Sequence, residues 1–561
     1  MSSDVNGHKV TCNNNRRGAT PKHRVFLFSR KKMKKILPVF LFITLLLGHI
    51  QTVAQPQTID TSDIVILYDN DVHGAVEGYP LMASFCDQMR RLTPHVALVS
   101  CGDFLSGSAY GSLSNGGYLV RMMNAVGYDF VTLGNHEFDF GIPMLRHRVG
   151  QLSAQVLCCN FSNVGQYRSI FPGYDIRRYG NRKVAFIGLT TPTVPTSSTP
   201  TFFQDSLGRW LYTFYPTALD SLLQCRVNEV LHEEADYVIL VAHVGKYDIP
   251  DIVARTSGID AVLDGHTHSV IPHTILYNKL GKPVLWTSTG AYFHAFGRLV
   301  INANGDMTSD LVPRDSITAY AASATAVDDT LAVIRAEYER VALRPVGYTT
   351  VTLRRDDATD YHADCTLGNF FTDAFRIVAG ADIAVMNQGG MRTDIPQGDL
   401  TFGDLYSAAP FNNRLCLVEM TGQALLDALE MGSHRWPSFG GGFLQVSGLT
   451  YEIAPTKNSP VVTDENGLFL RVEGRRRVCN VRVWNSQKRR YEPLNPKRTY
   501  RVAGTDYTLL SNGDGHVFNG VRVINPDICP YANALEIYIR EHLGGNVGDR
   551  YSRSEGRIRV L

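Results

Sequence analysis

Five short apolar runs in the first half of the chain each end on a residue able to bind a metal ion. Ile64-Val-Ile-Leu-Tyr68 leads into Asp69-Asn-Asp71-Val-His73-Gly74, and Val96-Ala-Leu-Val-Ser100 leads into Cys101-Gly-Asp103. Asp129-Phe-Val-Thr-Leu133 leads into Gly134-Asn135-His136-Glu137. Tyr237-Val-Ile-Leu-Val-Ala242 leads into His243, and Ile259-Asp-Ala-Val-Leu-Asp264 leads into Gly265-His266-Thr-His268. Runs of this length bounded by Gly, Asp and Asn read as buried strands. In open α/β sheets, ligands gather outside the carboxyl ends of such strands. One histidine alone is more often a satisfied structural residue. Asp71, His73, Asp103, Asn135, His243, His266 and His268, at corresponding points on five strands, read together as a metal site.

The third strand end adds acid–base chemistry. Gly134 to Gly141 reads Gly-Asn-His-Glu-Phe-Asp-Phe-Gly. It crowds a metal ligand (Asn135), a general acid (His136) and a carboxylate to orient that acid (Asp139) onto one strand-to-helix turn. Glu137, beside the catalytic histidine, reads as structural. The composition suits an ordered enzyme: 44% hydrophobic and 19% charged residues allow a large core. A net charge of +2 gives no sign of a nucleic-acid polymer as partner.

These motifs resemble the calcineurin-like metallophosphoesterases, and more narrowly the 5′-nucleotidase and periplasmic UDP-sugar hydrolase family. The resemblance runs from about residue 60 to about residue 555 and includes a downstream block in the second half of the chain. It implies an α/β fold: a four-layer α/β/β/α metallophosphoesterase sandwich, then a second α/β substrate-specificity domain joined by a helix. It also implies two divalent ions, of Zn, Mn, Co or Fe, since the mixed N and O ligands without thiolate do not choose among them. Asp103 is the expected shared carboxylate. Asp71, His73 and His268 complete one site by the family pattern, and Asn135, His243 and His266 the other.

The expected organisation is an N-terminal extension and signal peptide (1–54), a metallophosphoesterase domain (55–322), a connector helix (323–345) and a C-terminal domain (346–561). Arg30-Lys-Lys-Met-Lys-Lys35 is a basic n-region, Ile36 to Gly48 an apolar core, and Thr52-Val-Ala54 a cleavage region. The expected location is therefore the periplasm, the cell surface or the medium, with no transmembrane segment in the mature chain. Val327, Leu331, Ile334, Tyr338 and Val341 fall at helical spacing in the connector, and Pro345 is expected to end it. The nine cysteines beyond residue 54 leave at least one unpaired, and adjacent Cys158 and Cys159 read as buried thiols.

In the second domain, the strand Ala381-Asp-Ile-Ala-Val-Met386 runs into Asn387-Gln-Gly-Gly-Met-Arg392. The glycines allow close backbone approach to a ligand, and Arg392 can hold a phosphate by a bidentate contact. Phe411 and Asp514 lie in loops, where an aromatic and an acid can stack a base and accept bonds from ribose hydroxyls. The resemblance assigns nucleotide binding to Asn387, Arg392, Phe411 and Asp514. Two departures stand out. Tyr361 occupies the place of a family arginine, with Arg354 and Arg355 nearby as stand-ins. Thr508 occupies the place of a stacking aromatic, and a one-residue insertion would put Tyr507 there. The expected activity is 5′-nucleotidase, giving nucleoside and phosphate; the alternatives are hydrolysis of UDP-sugars or 2′,3′-cyclic nucleotides, or non-catalytic nucleotide binding.

Overall fold

Alternation along the strand Ile64–Asp69 sets the layers of the N-terminal half. In a strand, successive side chains point to opposite faces. Ile64, Ile66 and Tyr68 join a core with Val99, Phe186, Ile239, Val241 and Leu299, which lies between two sheets. Val65 and Leu67 face the other way, into a core with Met82, Phe85, Leu119 and Leu145 from flanking helices. A third core holds Ile187, Leu240 and Val262 against Leu223, Val227, Ile252 and Val253, beneath the helices Leu219–His232 and Ile249–Arg255. The result is an α/β/β/α stack, described by a computed structural model covering residues 59–317, 325–355, 363–438, 440–454, 458–518 and 520–561. The expected signal peptide and Tyr361 lie outside the described residues.

Each of the two sheets has six strands. In the first, Ile64–Asp69 pairs in parallel with Val96–Ser100, which pairs in parallel with Phe130–Val131. In the second, Tyr237–His243 lies between Arg182–Thr190 and Ala261–Leu263, all parallel. The five predicted ligand-bearing strand ends therefore leave the two sheets at their carboxyl edges.

The connector forms a helix, Thr325–Ala342. Val327, Leu331 and Ile334 are buried in the N-terminal core, and Tyr338 stacks on Tyr110 with ring centroids 4.1 Å apart. Val341 departs from expectation: it is 43% exposed, while the neighbouring Ala342 is buried. The helix also stops earlier than Pro345, which instead opens the strand Pro345–Thr349. Proline lacks an N–H and disfavours helix for its predecessor, so the turn ends before it is reached.

The C-terminal half centres on a five-stranded sheet that includes Ile383–Asn387, Thr499–Thr505 and Arg414–Thr421. It has its own cores, one around Phe370, Phe371, Leu405 and Tyr531, the other around Val418, Leu429, Tyr451 and Val502. Residues Ile59–Leu561 nonetheless pack as one unit. Ser112 Oγ donates to Pro410 O, Asn412 Nδ2 donates to Asn115 Oδ1 at 2.9 Å, and Tyr507 OH donates to Thr196 O at 3.4 Å. No described helix is long and apolar enough to cross a membrane. None of the nine described cysteines is in a disulfide, and Cys158 and Cys159 are buried.

Candidate active site and metal centre

Backbone strain marks the strand ends. Asp71 (φ 51°), His73 (47°), Asp103 (60°), His266 (80°) and His268 (52°) all occupy the left-handed region. Each non-glycine residue there costs about 1–2 kcal/mol, which persists only where the surroundings enforce it. Two glycines make room. A Cβ on Gly134 would lie 2.2 Å from Asp103 Oδ1, and one on Gly102 would lie 2.5 Å from Gly134 N.

The strained turns bring side chains together. His73 Nε2 lies 3.0 Å from His268 Nε2, 3.8 Å from Asp71 Oδ1 and 3.7 Å from Asp103 Oδ2. His268 Nε2 lies 3.5 Å from Asp71 Oδ1. His243 Nε2 lies 3.2 Å from Asp103 Oδ2 and 3.9 Å from Asp71 Oδ1. Three mutually close groups result: Asp71–His73–His268, Asp71–Asp103–His243 and His73–Asp103–His136. Asp103 thus reaches the histidines of both expected sites, and Asp71 reaches His243 as well. His266 stands further out, its ring 5.2 Å from that of His243. Its backbone N–H is held by Asp71 Oδ2 at 2.9 Å.

The donor set suits bound cations. His73 Nδ1 faces Ser106 O at 3.2 Å and His243 Nδ1 faces Cys101 O at 2.7 Å, which leaves each Nε2 lone pair turned inward. His243 Nε2 and Asn135 Oδ1 are buried with no hydrogen-bond partner. Asn135 Nδ2 donates to Ser197 O at 3.1 Å, so its oxygen is the free end. Burial and neighbouring positive charge push His266 and His268 down to about 3, which keeps both imidazoles neutral, as a ligand must be. At Asp103, burial acts upward, but His243 and His136 outweigh it and hold the carboxyl well below the usual range. Burial likewise opposes charge on His243, yet Asp103 and Asp71 push it up to about 10. Burial instead pushes Asp71 up to about 7, so it is Asp103 that holds its charge and favours whatever cation lies beside it.

His136 sits on the rim of this cluster. Its backbone N–H donates to Asp103 Oδ1 at 2.8 Å, and its Nδ1 meets Asp139 Oδ2 at 2.7 Å. Ser106 Oγ donates to the same Asp139 oxygen at 2.6 Å. Burial lowers the His136 pKa, but the Asp139 and Asp103 charges and the Asp139 hydrogen bond raise it by more. With Nδ1 committed to Asp139, Nε2 is the ring nitrogen left for another partner.

The C-terminal half closes over this cluster around a cavity of about 1320 Å³. Asp103, Asn135, His136, His266 and His268 line it from one side, and Asn387, Arg392, Phe411, Tyr507 and Asp514 from the other. Phe411 is half-buried and stacks on His136 at 5.5 Å and 11°. Arg392 Nη2 lies 3.5 Å from His73 Nε2. Tyr507 OH accepts the Asp514 N–H at 3.1 Å, and Asn387 Nδ2 donates to Asp514 Oδ2 at 2.9 Å. Thr508 is buried away from the cavity. Arg355 also lines the cavity, next to Arg392, whose carbonyl accepts from Arg355 Nη1 at 3.4 Å.

Residues 64–270 match the calcineurin-like phosphoesterase family, and residues 345–520 match the 5′-nucleotidase C-terminal domain. The chain belongs to the two-domain 5′-nucleotidase family. This family places it among metal-dependent phosphoester hydrolases. The bovine (Bos taurus) 5′-nucleotidase is 26% identical over 519 residues, spanning 81% of this chain and 84% of that protein. A trifunctional nucleotide phosphoesterase of Bacillus subtilis (strain 168), YfkN, is 27% identical over 502 residues, spanning 81% of this chain but only 32% of that protein. In fold, the chain is similar to the 5′-nucleotidase precursor from Thermus thermophilus, with a TM-score of 0.75 at 24% identity, covering 89% of this chain and 99% of that one.

Two residues that the strand-end pattern did not single out belong to this region. Tyr292 comes after a sixth strand, Pro283–Thr289, whose exit Gly290-Ala291-Tyr292 carries no metal-ligand type. Ser106 lies in a loop, and its contacts to Asp139 through Oγ and to His73 through its carbonyl distinguish it from any other serine.

Proposed function

We propose that this family member is an exported 5′-nucleotidase, hydrolysing nucleoside 5′-monophosphates to nucleoside and phosphate at a two-metal centre. The observation that carries this reading is the meeting of Arg392 and Phe411 with His73 and His136 across one cavity. An anion-binding guanidinium and an aromatic ring face the same cluster, so a phosphate and the organic group attached to it can be held together.

Asp71, His73, Asp103, Asn135, His243, His266 and His268 would hold the ions. Bound there, two divalent ions supply Lewis acidity, a lowered water pKa and neutralisation of phosphoryl charge. Arg392 holds the phosphoryl oxygens, and Phe411 and Tyr507 flank the base. Asp514 accepts from the ribose hydroxyls and is itself fixed by Asn387. Water attacks phosphorus in line with the ribose oxygen, the bond from phosphorus to that oxygen breaks, and His136 Nε2 delivers a proton to the departing alkoxide. Asp139, bonded at Nδ1, stabilises the imidazolium that carries this proton and fixes its orientation. The test is phosphate release from AMP, UDP-glucose and 2′,3′-cyclic AMP at fixed metal concentration; AMP should lead, and either other substrate leading would overturn the choice.

The cavity volume favours a second reading. About 1320 Å³ exceeds the usual 300–1,000 Å³ of small-molecule sites. A UDP-sugar, larger than AMP, can be accommodated at the same cluster. Export rests on the residues between Arg30 and Ala54 and is checked by N-terminal sequencing of the mature protein, which should begin just after Ala54.

A further inference from the structure

Tyr292 and Phe293 are consecutive non-glycine residues in the left-handed region, with φ of 57° and 53°. Two adjacent strained residues need both an anchor and a reason. The anchor is Phe293: it is buried, with its ring 5.1 Å from Tyr79 and 5.3 Å from Phe296. Tyr292 is fixed at its backbone, where its N–H donates to Asp71 O at 2.9 Å. Its ring then lies against two expected ligands, 5.4 Å from His73 and 5.7 Å from His268. The hydroxyl accepts from Arg392 Nη2 at 3.4 Å, across the boundary between the two halves of the chain.

Arg392 shows what the contact is for. The same Nη2 also faces His73 Nε2 at 3.5 Å, yet Arg392 Nε is buried with no partner. A buried guanidinium N–H left unpaired costs about 1–3 kcal/mol or more unless a ligand takes it. One edge of the guanidinium is pinned and another, unsatisfied, belongs to a side chain that lines the cavity.

We infer that Tyr292 is a positioning residue for the phosphoryl group: its hydroxyl pins Arg392 Nη2 so that the unpaired Nε–H is aimed at a phosphoryl oxygen. This rests on the reading of Arg392 as the phosphate-binding cation. Tyr292 acts through Arg392 rather than on the substrate, and the strain at 292–293 is what carries the hydroxyl to that place.

The test uses Tyr292→Phe, which keeps the ring between His73 and His268 and removes only the hydroxyl. With metal content checked by mass spectrometry and unchanged, KM for AMP and the inhibition constant for inorganic phosphate should both rise about tenfold, with kcat changed much less. Arg392→Lys should raise both constants further, and adding Tyr292→Phe to Arg392→Lys should change little more. Wild-type phosphate inhibition in Tyr292→Phe, or full multiplication of the two effects in the double variant, would overturn the inference. Unchanged phosphate inhibition in Arg392→Lys itself would instead overturn the phosphate-binding reading on which it rests.

Discussion

Glu137 Oε2 accepts the backbone N–H of Asp103 at 2.7 Å. The same oxygen accepts from Gly134 N at 2.6 Å, and Oε1 accepts from Phe104 N and Leu105 N at 2.8 and 2.9 Å. One buried carboxylate thereby ties the loop after Val96–Ser100 to the loop after Phe130–Val131. Burial, then the Asp103 charge, raise the Glu137 pKa, while the backbone donors act in the opposite direction. Glu137→Gln turns an NH₂ toward two of these donors and should cost about 2–4 kcal/mol. Urea unfolding of the metal-stripped protein measures that loss. An unchanged midpoint would mean that the carboxylate does not organise the loops.

His136→Ala should keep both metal ions and lose kcat by about 10²–10⁴-fold, the usual worth of a positioned acid or base. Asp139→Asn should lose less, because the imidazole stays in place while its orienting charge is removed. Steady-state kinetics alongside metal analysis separates these outcomes from simple loss of metal.

Tyr507→Ala should raise KM for AMP by about 5- to 160-fold, the range of one base–aromatic stack of about 1–3 kcal/mol. Ribose 5-phosphate, which has no base, should be hydrolysed as by the wild type. Equal losses on both substrates would place Tyr507 in the fold rather than in base recognition.

Acid should weaken the C-terminal half through Asp373. Burial pushes its carboxyl up, but Arg557 Nη2 at 2.9 Å and hydroxyls from Ser447 and Tyr551 outweigh burial and hold it below the usual value. A depressed folded pKa stabilises above the unfolded value of about 3.9 and loses that stabilisation as pH falls through the folded value. Asp373→Asn should therefore cost about 3 kcal/mol at pH 7, since Glu555 at 2.9 Å is the carboxylate left to Arg557 among the described residues. Its stability should also fall less than the wild type's below pH 4. Urea titrations at pH 7 and pH 3 check both.

Much of the catalytic half was legible because strand ends and ligand types coincide in sequence. Buried strands need continuous apolar runs, and the residues after each run must sit at the sheet edge. The layering of Ile64, Ile66 and Tyr68 against Val65 and Leu67 comes from the same alternation. The connector was less legible at its end. Helical spacing put Val341 on the buried face, but the packing against the Phe402–Ala408 helix buries Ala342 instead. Contacts between halves were not legible at all. Phe411 reads as a loop aromatic, yet its stack on His136 depends on residues from opposite halves of the chain meeting in space. Tyr292 was invisible for a related reason: its hydroxyl matters only through Arg392.

The most direct measurement is the metal content of the purified wild type and of Asp103→Asn, taken with phosphate release from AMP. Two divalent ions per chain and rapid release should be found in the wild type, with both lost in the variant. A metal-free chain, or an Asp103→Asn variant, that hydrolysed AMP at the wild-type rate would contradict the account.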